Sequence, residues 1–274
     1  NISNPNPNLW TVTKLFQATY TSGSTTTRQP ITTQPYVIKN PVGGFVVIFG
    51  TGSYVTDTDG VSTEIQSTYG IWDRGEINPA TANSNTKATR LVKQVVTNIV
   101  DETAPTFDHL RIVSANPVDY EPAAGGSPGV YGWYFDFVMK RPTLTLQGNV
   151  NTDTEGNAPP AVQYPGERAI RRFVPRGSAL LVTSVIPRDA NTCLRSPPGS
   201  TFPIDALTGG NPKRAVLDLN NDGNVDSNDF VTVGGVQYAA GILFDTSDLN
   251  GQLVDPSLLL GTGDADGTFA SAIT

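Results

Sequence analysis

Phe45-Val-Val-Ile-Phe-Gly50 is apolar, β-branched and aromatic, and it stops at a glycine. That length and composition make a buried strand rather than a helical turn. The same signature recurs at Thr68-Tyr-Gly-Ile-Trp-Asp73, Leu91–Val100, Gly132-Trp-Tyr-Phe-Asp-Phe137 and Ala179–Ile186, each bounded by Gly, Pro or Asn. Residues 87–100 are the one plausible helix, but their β-branched content favours a strand. Polar tracts at 20–34, 78–88, 120–130, 150–165 and 196–212 read as long surface loops. They exceed ordinary hairpin lengths and mark an elaborated scaffold. The fold class is all-β. Short strands punctuated by aromatic residues and glycine fit a sandwich or a propeller of four-stranded blades, without a strict repeat.

Outward from these strands lies a segment of different chemistry. Asp218-Leu-Asn-Asn-Asp-Gly-Asn-Val-Asp-Ser-Asn-Asp229 has the spacing of a twelve-residue calcium loop. Asp218, Asn220 and Asp222 stand at positions one, three and five, and Gly223 makes the turn at six. Asn224 offers its backbone carbonyl at seven, Asp226 stands at nine, and Asp229 closes the loop at twelve. An oxygen-only set selects calcium over zinc or copper. Aspartate at twelve has a shorter arm than the usual glutamate, which weakens bidentate closure and points to a Kd of roughly 10⁻⁴–10⁻³ M. An EF-hand sensor needs helices on both sides. Here Arg214-Ala-Val-Leu217 and Phe230-Val-Thr-Val-Gly-Gly-Val236 read as strands, so the ion is expected to pin a connection rather than to open a helix pair.

Charge follows the same division. The net charge is -7; residues 1–214 hold all 18 Lys and Arg against 16 acids, whereas residues 215–274 hold nine Asp and no base, a balance of -9. The acidity therefore speaks of metal loading and solubility rather than of a cationic partner. Arg168, Arg171, Arg172 and Arg176 form the one basic cluster, too short for a phosphate-tracking stripe and spaced like a half-exposed strand, so no nucleic-acid partner is expected. No apolar run reaches the ~18 residues of a membrane span. Cys193 is the sole cysteine, which leaves no internal disulfide. The chain begins at Asn1 without methionine or signal sequence and is expected to be a processed or truncated piece.

Other candidates are weaker. Thr56-Asp-Thr-Asp-Gly60 and Gly263-Asp-Ala-Asp-Gly267 each offer two carboxylates, too few for an ion, and read as Asx turns. His109 stands before a strand with no nucleophile motif nearby and reads as structural. Trp10, Trp72 and Trp133 read as packing residues.

Several segments together resemble the C-terminal domain of the PilC/PilY family of type IV pilus proteins. They are Asn8-Leu-Trp with Lys14-Leu-Phe, Gln29–Pro35, Val46–Tyr54, Gln66–Asp73, Gly132–Phe137, Gly166-Glu-Arg168, Ser184-Val-Ile-Pro187, and Asp205-Ala-Leu-Thr-Gly-Gly210 followed by the Asp218 loop. They occur in family order across nearly the whole chain. The resemblance implies a partial or modified β-propeller with long loop insertions. Residues 1–274 would be a portion of that C-terminal domain, and 211–274 its acidic calcium-loop segment. It further implies a non-enzymatic protein at the pilus tip or cell surface, exported through the periplasm and associated with the outer membrane. Its implied roles are pilus biogenesis, adhesion and calcium-dependent control of extension and retraction. Its implied partners are minor pilins and an unidentified host or abiotic surface receptor. The family's retraction-linked loop is a shorter aspartate-rich one earlier in the propeller, which makes the Asp218 loop a second site. The alternative is a calcium-stabilised quinoprotein dehydrogenase fragment, against which a single cysteine counts. A dockerin-like module would need a duplicate loop and helices, and no carboxylate spacing singles out a glycosidase pair.

Overall fold

The computed structural model describes residues 6, 8, 14–75, 87–100, 109–121, 129–138, 144–145, 164–187 and 199–244. Trp10, Cys193, Gly263-Asp-Ala-Asp-Gly267 and most of the tracts 78–88, 120–130 and 150–165 lie outside them. Within them the chain is β throughout, with two short helices, α1 (Asp57–Val61) and α2 (Lys87–Arg90).

Two sheets carry the fold. The first, five-stranded, runs β3 (Tyr36–Lys39), β4 (Phe45–Gly50), β5 (Ser67–Asp73), β9 (Gly132–Asp136), β6 (Val92–Lys93). The second, seven-stranded, runs β10 (Leu144–Thr145), β7 (Val96–Val100), β8 (His109–Val113), β16 (Gly241–Phe244), β13 (Gly199–Asp205), β12 (Ala179–Val185), β11 (Val174–Arg176). Most pairings are antiparallel; β6–β9 and β10–β7 are parallel. Successive side chains leave a strand on opposite faces, and the burial follows that alternation. Val46 and Ile48 of β4 with Trp133 and Phe135 of β9 enter the core between the sheets, while Phe49 and Tyr134 turn to a second cluster on the outer face. From the seven-stranded sheet, Leu180, Val182, Phe202 and Ile204 meet the first group.

Trp133 is fully buried at the centre. A Cβ on Gly70 or Gly209 would fall well inside van der Waals contact with its indole, and Gly209 also holds a positive φ of 65°. The indole is thus seated between two backbones that only glycine lets approach so closely. Phe135 stacks beside it at 6.2 Å, and Phe202 meets Phe135 at 5.9 Å. Trp72 is buried in the same cluster, as its composition predicted.

Each outer face has its own cover. Leu15, Phe16 and Ala18 pack over Phe49, Tyr69 and Ile71. On the seven-stranded side, Leu217, Leu219, Val231, Val233 and Tyr238 pack against Ile99, Leu110, Ile112, Leu181 and Ile242. The acidic loop and the hairpin of β14 (Phe230–Val233) and β15 (Val236–Ala239) are therefore a lid over a β face.

Several expectations need correction. The 20–34 tract contains a hairpin, β1 (Thr19–Ser22) with β2 (Thr25–Arg28), whose Thr21 and Thr26 hydroxyls bond across it at 2.9 Å. The 196–212 tract contains β13, a buried interior strand. Its polar groups pair sideways: Ser184 with Ser200 at 2.7 Å and Thr183 with Thr201 at 3.1 Å. Pro203 lies beyond the last residue paired with β16, so on that side it breaks no ladder. Residues 87–100 divide into α2, β6 and β7. Arg214–Leu217 is not a strand. It is an extended approach that buries Leu217 against Leu181 and Ile242. Arg168 is buried, not half-exposed. Its guanidinium donates to the carbonyls of Ser53, Ser62 and Gly166, tying the α1 loop to the body of the fold.

Candidate metal centre

The segment after β13 is clamped before the loop begins. Asp205 Oδ1 accepts from the Leu207 and Thr208 amides and from the Thr208 hydroxyl, closing the turn that brings Gly209 onto Trp133. Asn211 then makes a two-point contact with Ala239 at the end of β15, donating Nδ2 to its carbonyl at 2.8 Å and accepting its amide at 3.0 Å. Both ends of the 211–239 unit are thereby joined.

Asp218 and Asp229, at positions one and twelve, are each about 2% exposed, whereas Asn220, Asp222, Asn224 and Asp226 are exposed. The loop amides point at the two buried carboxylates. Asp218 Oδ1 takes the Asp222 amide at 3.2 Å and Oδ2 that of Gly223 at 2.9 Å. Asp229 Oδ1 takes the amides of Leu219 and Asn220, and Oδ2 that of Asp226 at 2.8 Å. The reversal between them uses positive φ at Asn221 (59°) and Gly223 (88°), positions that Asn and Gly tolerate. Asp226 accepts from the Asn228 amide at 2.7 Å and caps a 3-10 turn at Ser227–Asp229. Asp222 Oδ1 takes the Asn224 amide at 2.8 Å; that bond, with the Asn220 side chain, holds the Asp222 carboxyl below the usual range.

Six sequence-predicted ligands are thus gathered into one loop. Among the described residues, no three Asp, Glu, His or Cys groups converge as closely as a metal requires. The carboxylates are oriented by backbone amides instead. The donor set still fits a hard cation in kind: carboxylate, amide and carbonyl oxygens, with no base in residues 215–244 to neutralise four aspartates. Ion pairs are seen away from the loop, at Lys87–Asp136 and Arg111–Glu167.

Those two pairs were not read from the sequence. Lys87 Nζ meets Asp136 Oδ1 at 2.6 Å under the rings of Tyr20, Tyr69 and Tyr134, 4.6–5.7 Å away. Burial lowers the Lys87 ammonium despite the nearby carboxylate, and pushes the Tyr134 hydroxyl up to about 12. Arg111 and Glu167 are fully buried between the sheets. Their signals were a charge within the strand Leu110-Arg-Ile-Val113 and the Gly166-Glu-Arg168 triplet. Thr56-Asp-Thr-Asp-Gly60 proves to be the start of α1. Asp59 accepts from the Val55 and Thr56 amides, which lower its carboxyl to about 2. His109 opens β8.

A family model described as the PilY1 beta-propeller domain matches residues 4–107. The chain is 32% identical over 219 residues to the type IV pilus biogenesis factor PilY1 of Pseudomonas aeruginosa, covering 78% of this chain and 16% of that protein. It is 31% identical over 217 residues to a PilY1 homolog of Xylella fastidiosa, covering 79% of this chain and 14% of that one. The crystal structure of the P. aeruginosa PilY1 C-terminal domain superposes with a TM-score of 0.60 at 26% identity, over 84% of this chain and 42% of that one. The chain thus spans only a small share of the length of these curated relatives.

Proposed function

The chain belongs to the PilY1 family of type IV pilus biogenesis factors, and from that footing we propose that it is a non-catalytic, calcium-stabilised propeller section of a protein that works at the pilus tip. The ordered similarity across 78% of the chain carries the pilus reading. In it, the section supports pilus biogenesis and surface adhesion and takes part in calcium-dependent control of extension and retraction. It contacts minor pilins and a host or abiotic surface. Among the described residues no helix is long and apolar enough to cross a membrane. Surface placement is proposed from the pilus role of its relatives.

Calcium is assigned to Asp218, Asn220, Asp222, the Asn224 carbonyl, Asp226 and Asp229. What supports it is a pair of buried carboxylates at the two ends of a twelve-residue loop with no cationic side chain in it. Bound calcium would supply the positive charge that lets these oxygens share one centre. Because the loop's flanks are the anchored Leu217 and strand β14, the ion would hold the lid on the seven-stranded sheet rather than switch its shape. Immunogold labelling and gene deletion test the pilus role: label at pilus ends with reduced piliation, twitching or attachment supports it. Cytoplasmic label, or normal pili and adhesion after deletion, contradicts it.

A further inference from the structure

Arg111 and Glu167 are held by a single contact although their groups could form a two-point fork. Arg111 Nη1 donates to Glu167 Oε1 and to the Ser200 hydroxyl, and Nε donates to Asn98 Oδ1 at 2.9 Å. Glu167 Oε1 also accepts the hydroxyls of Ser184 and Ser200. These partners sit on β7, β12 and β13 and fix both groups in an offset pose. The outer atoms, Arg111 Nη2 and Glu167 Oε2, are completely buried and have no protein partner. A buried charged donor or acceptor left unpaired costs several kcal/mol, so such atoms in native proteins are satisfied by water or an ion.

The pair is neutral as a whole, which disfavours a captured ion of either sign. Thr68 Oγ1 and Gln66 Oε1 are also buried without a protein partner. Thr68 is the register partner of Gly50, against which Ala169, two residues from Glu167, packs closely. Gln66 accepts the Phe137 amide through its carbonyl, and the Phe137 ring lies 6.5 Å from Phe202, whose ring the Arg111 guanidinium overlies at 5.6 Å. A buried water typically makes about three hydrogen bonds to such groups.

We propose that an ordered internal water bridges Arg111 Nη2 and Glu167 Oε2, forming a hydration site between the two sheets. It donates to the carboxylate and accepts from the guanidinium. A high-resolution crystal structure of the wild-type chain tests this, with density expected about 2.7–3.2 Å from both atoms. A direct Nη2–Oε2 fork with no density there would overturn it. A second readout is oxygen-17 relaxation dispersion, which counts long-lived internal waters. The double variant Arg111→Met/Glu167→Leu is expected to lose at least one. An unchanged count in the folded variant would equally refute the site.

Discussion

Removing Glu167 should be far more damaging than replacing it together with its partner. In Glu167→Ala the Arg111 guanidinium stays at zero exposure, with Ser200 and Asn98 as neutral acceptors and no counter-charge. Breaking one side of a buried pair costs about 3–5 kcal/mol. Whole domains are stable by only about 5–15 kcal/mol, so roughly a fifth or more of the total is at stake. The hydroxyls released by Glu167 add little, because the Ser184 and Ser200 oxygens lie 2.7 Å apart and one can then donate to the other. Arg111→Met/Glu167→Leu removes both charges and fills the space with apolar atoms, an exchange that is often neutral or stabilising. Urea unfolding measures all variants, the midpoint reporting stability and the slope the surface exposed. The single variant is expected to lose about 3–5 kcal/mol and the double variant to recover most of it. A single variant within about 1 kcal/mol of wild type, or losses that simply add, would refute the reasoning.

Gly70→Ala should drive a methyl group into the Trp133 indole and cost about 1–3 kcal/mol by overpacking, with a changed near-ultraviolet dichroism of the indole; a neutral result would mean that Trp133 is loosely held. Chelating calcium should lower the melting temperature. With free ion at roughly twentyfold excess over Kd the stabilisation is about 2 kcal/mol, or about 4–7 °C for a chain of this size, and an unchanged melting point would contradict it. The Asp59 carboxyl should titrate by NMR near about 2. Its folded value is depressed, so its contribution is complete above the ordinary carboxylate range and fades only as pH falls toward 2; a midpoint near 4 would show that the bonds to Val55 and Thr56 do not persist in solution.

The strands at Phe45–Gly50, Ser67–Asp73, Gly132–Asp136 and Ala179–Val185 were legible because apolar β-branched and aromatic runs report burial directly. β13 was not. Its Ser200 and Thr201 read as a loop, yet their hydroxyls are matched by Ser184 and Thr183 on the neighbouring strand, a pairing that no local pattern encodes. The same holds for the Thr-rich β1–β2 hairpin. The Asp218 loop was legible as a spacing because its code lies within twelve residues. That its two end carboxylates would be buried while Asn220 and Asp222 stayed exposed depends on Leu217 and the β14–β15 hairpin packing on distant strands. The Arg111–Glu167 pair joins positions 56 residues apart, beyond any local reading, although each partner stood out in its own segment.

The most direct test is a calcium titration of metal-stripped protein followed by backbone amide NMR, in wild type and in Asp222→Ala. Asp222 is exposed and bonds only within the loop, so this variant should keep its fold. The expected result is saturable one-site binding at roughly 10⁻⁴–10⁻³ M, with shifts centred on residues 218–229 and the adjoining hairpin, lost in Asp222→Ala. No saturable change in wild type, or the same isotherm in the variant, would contradict calcium at this loop.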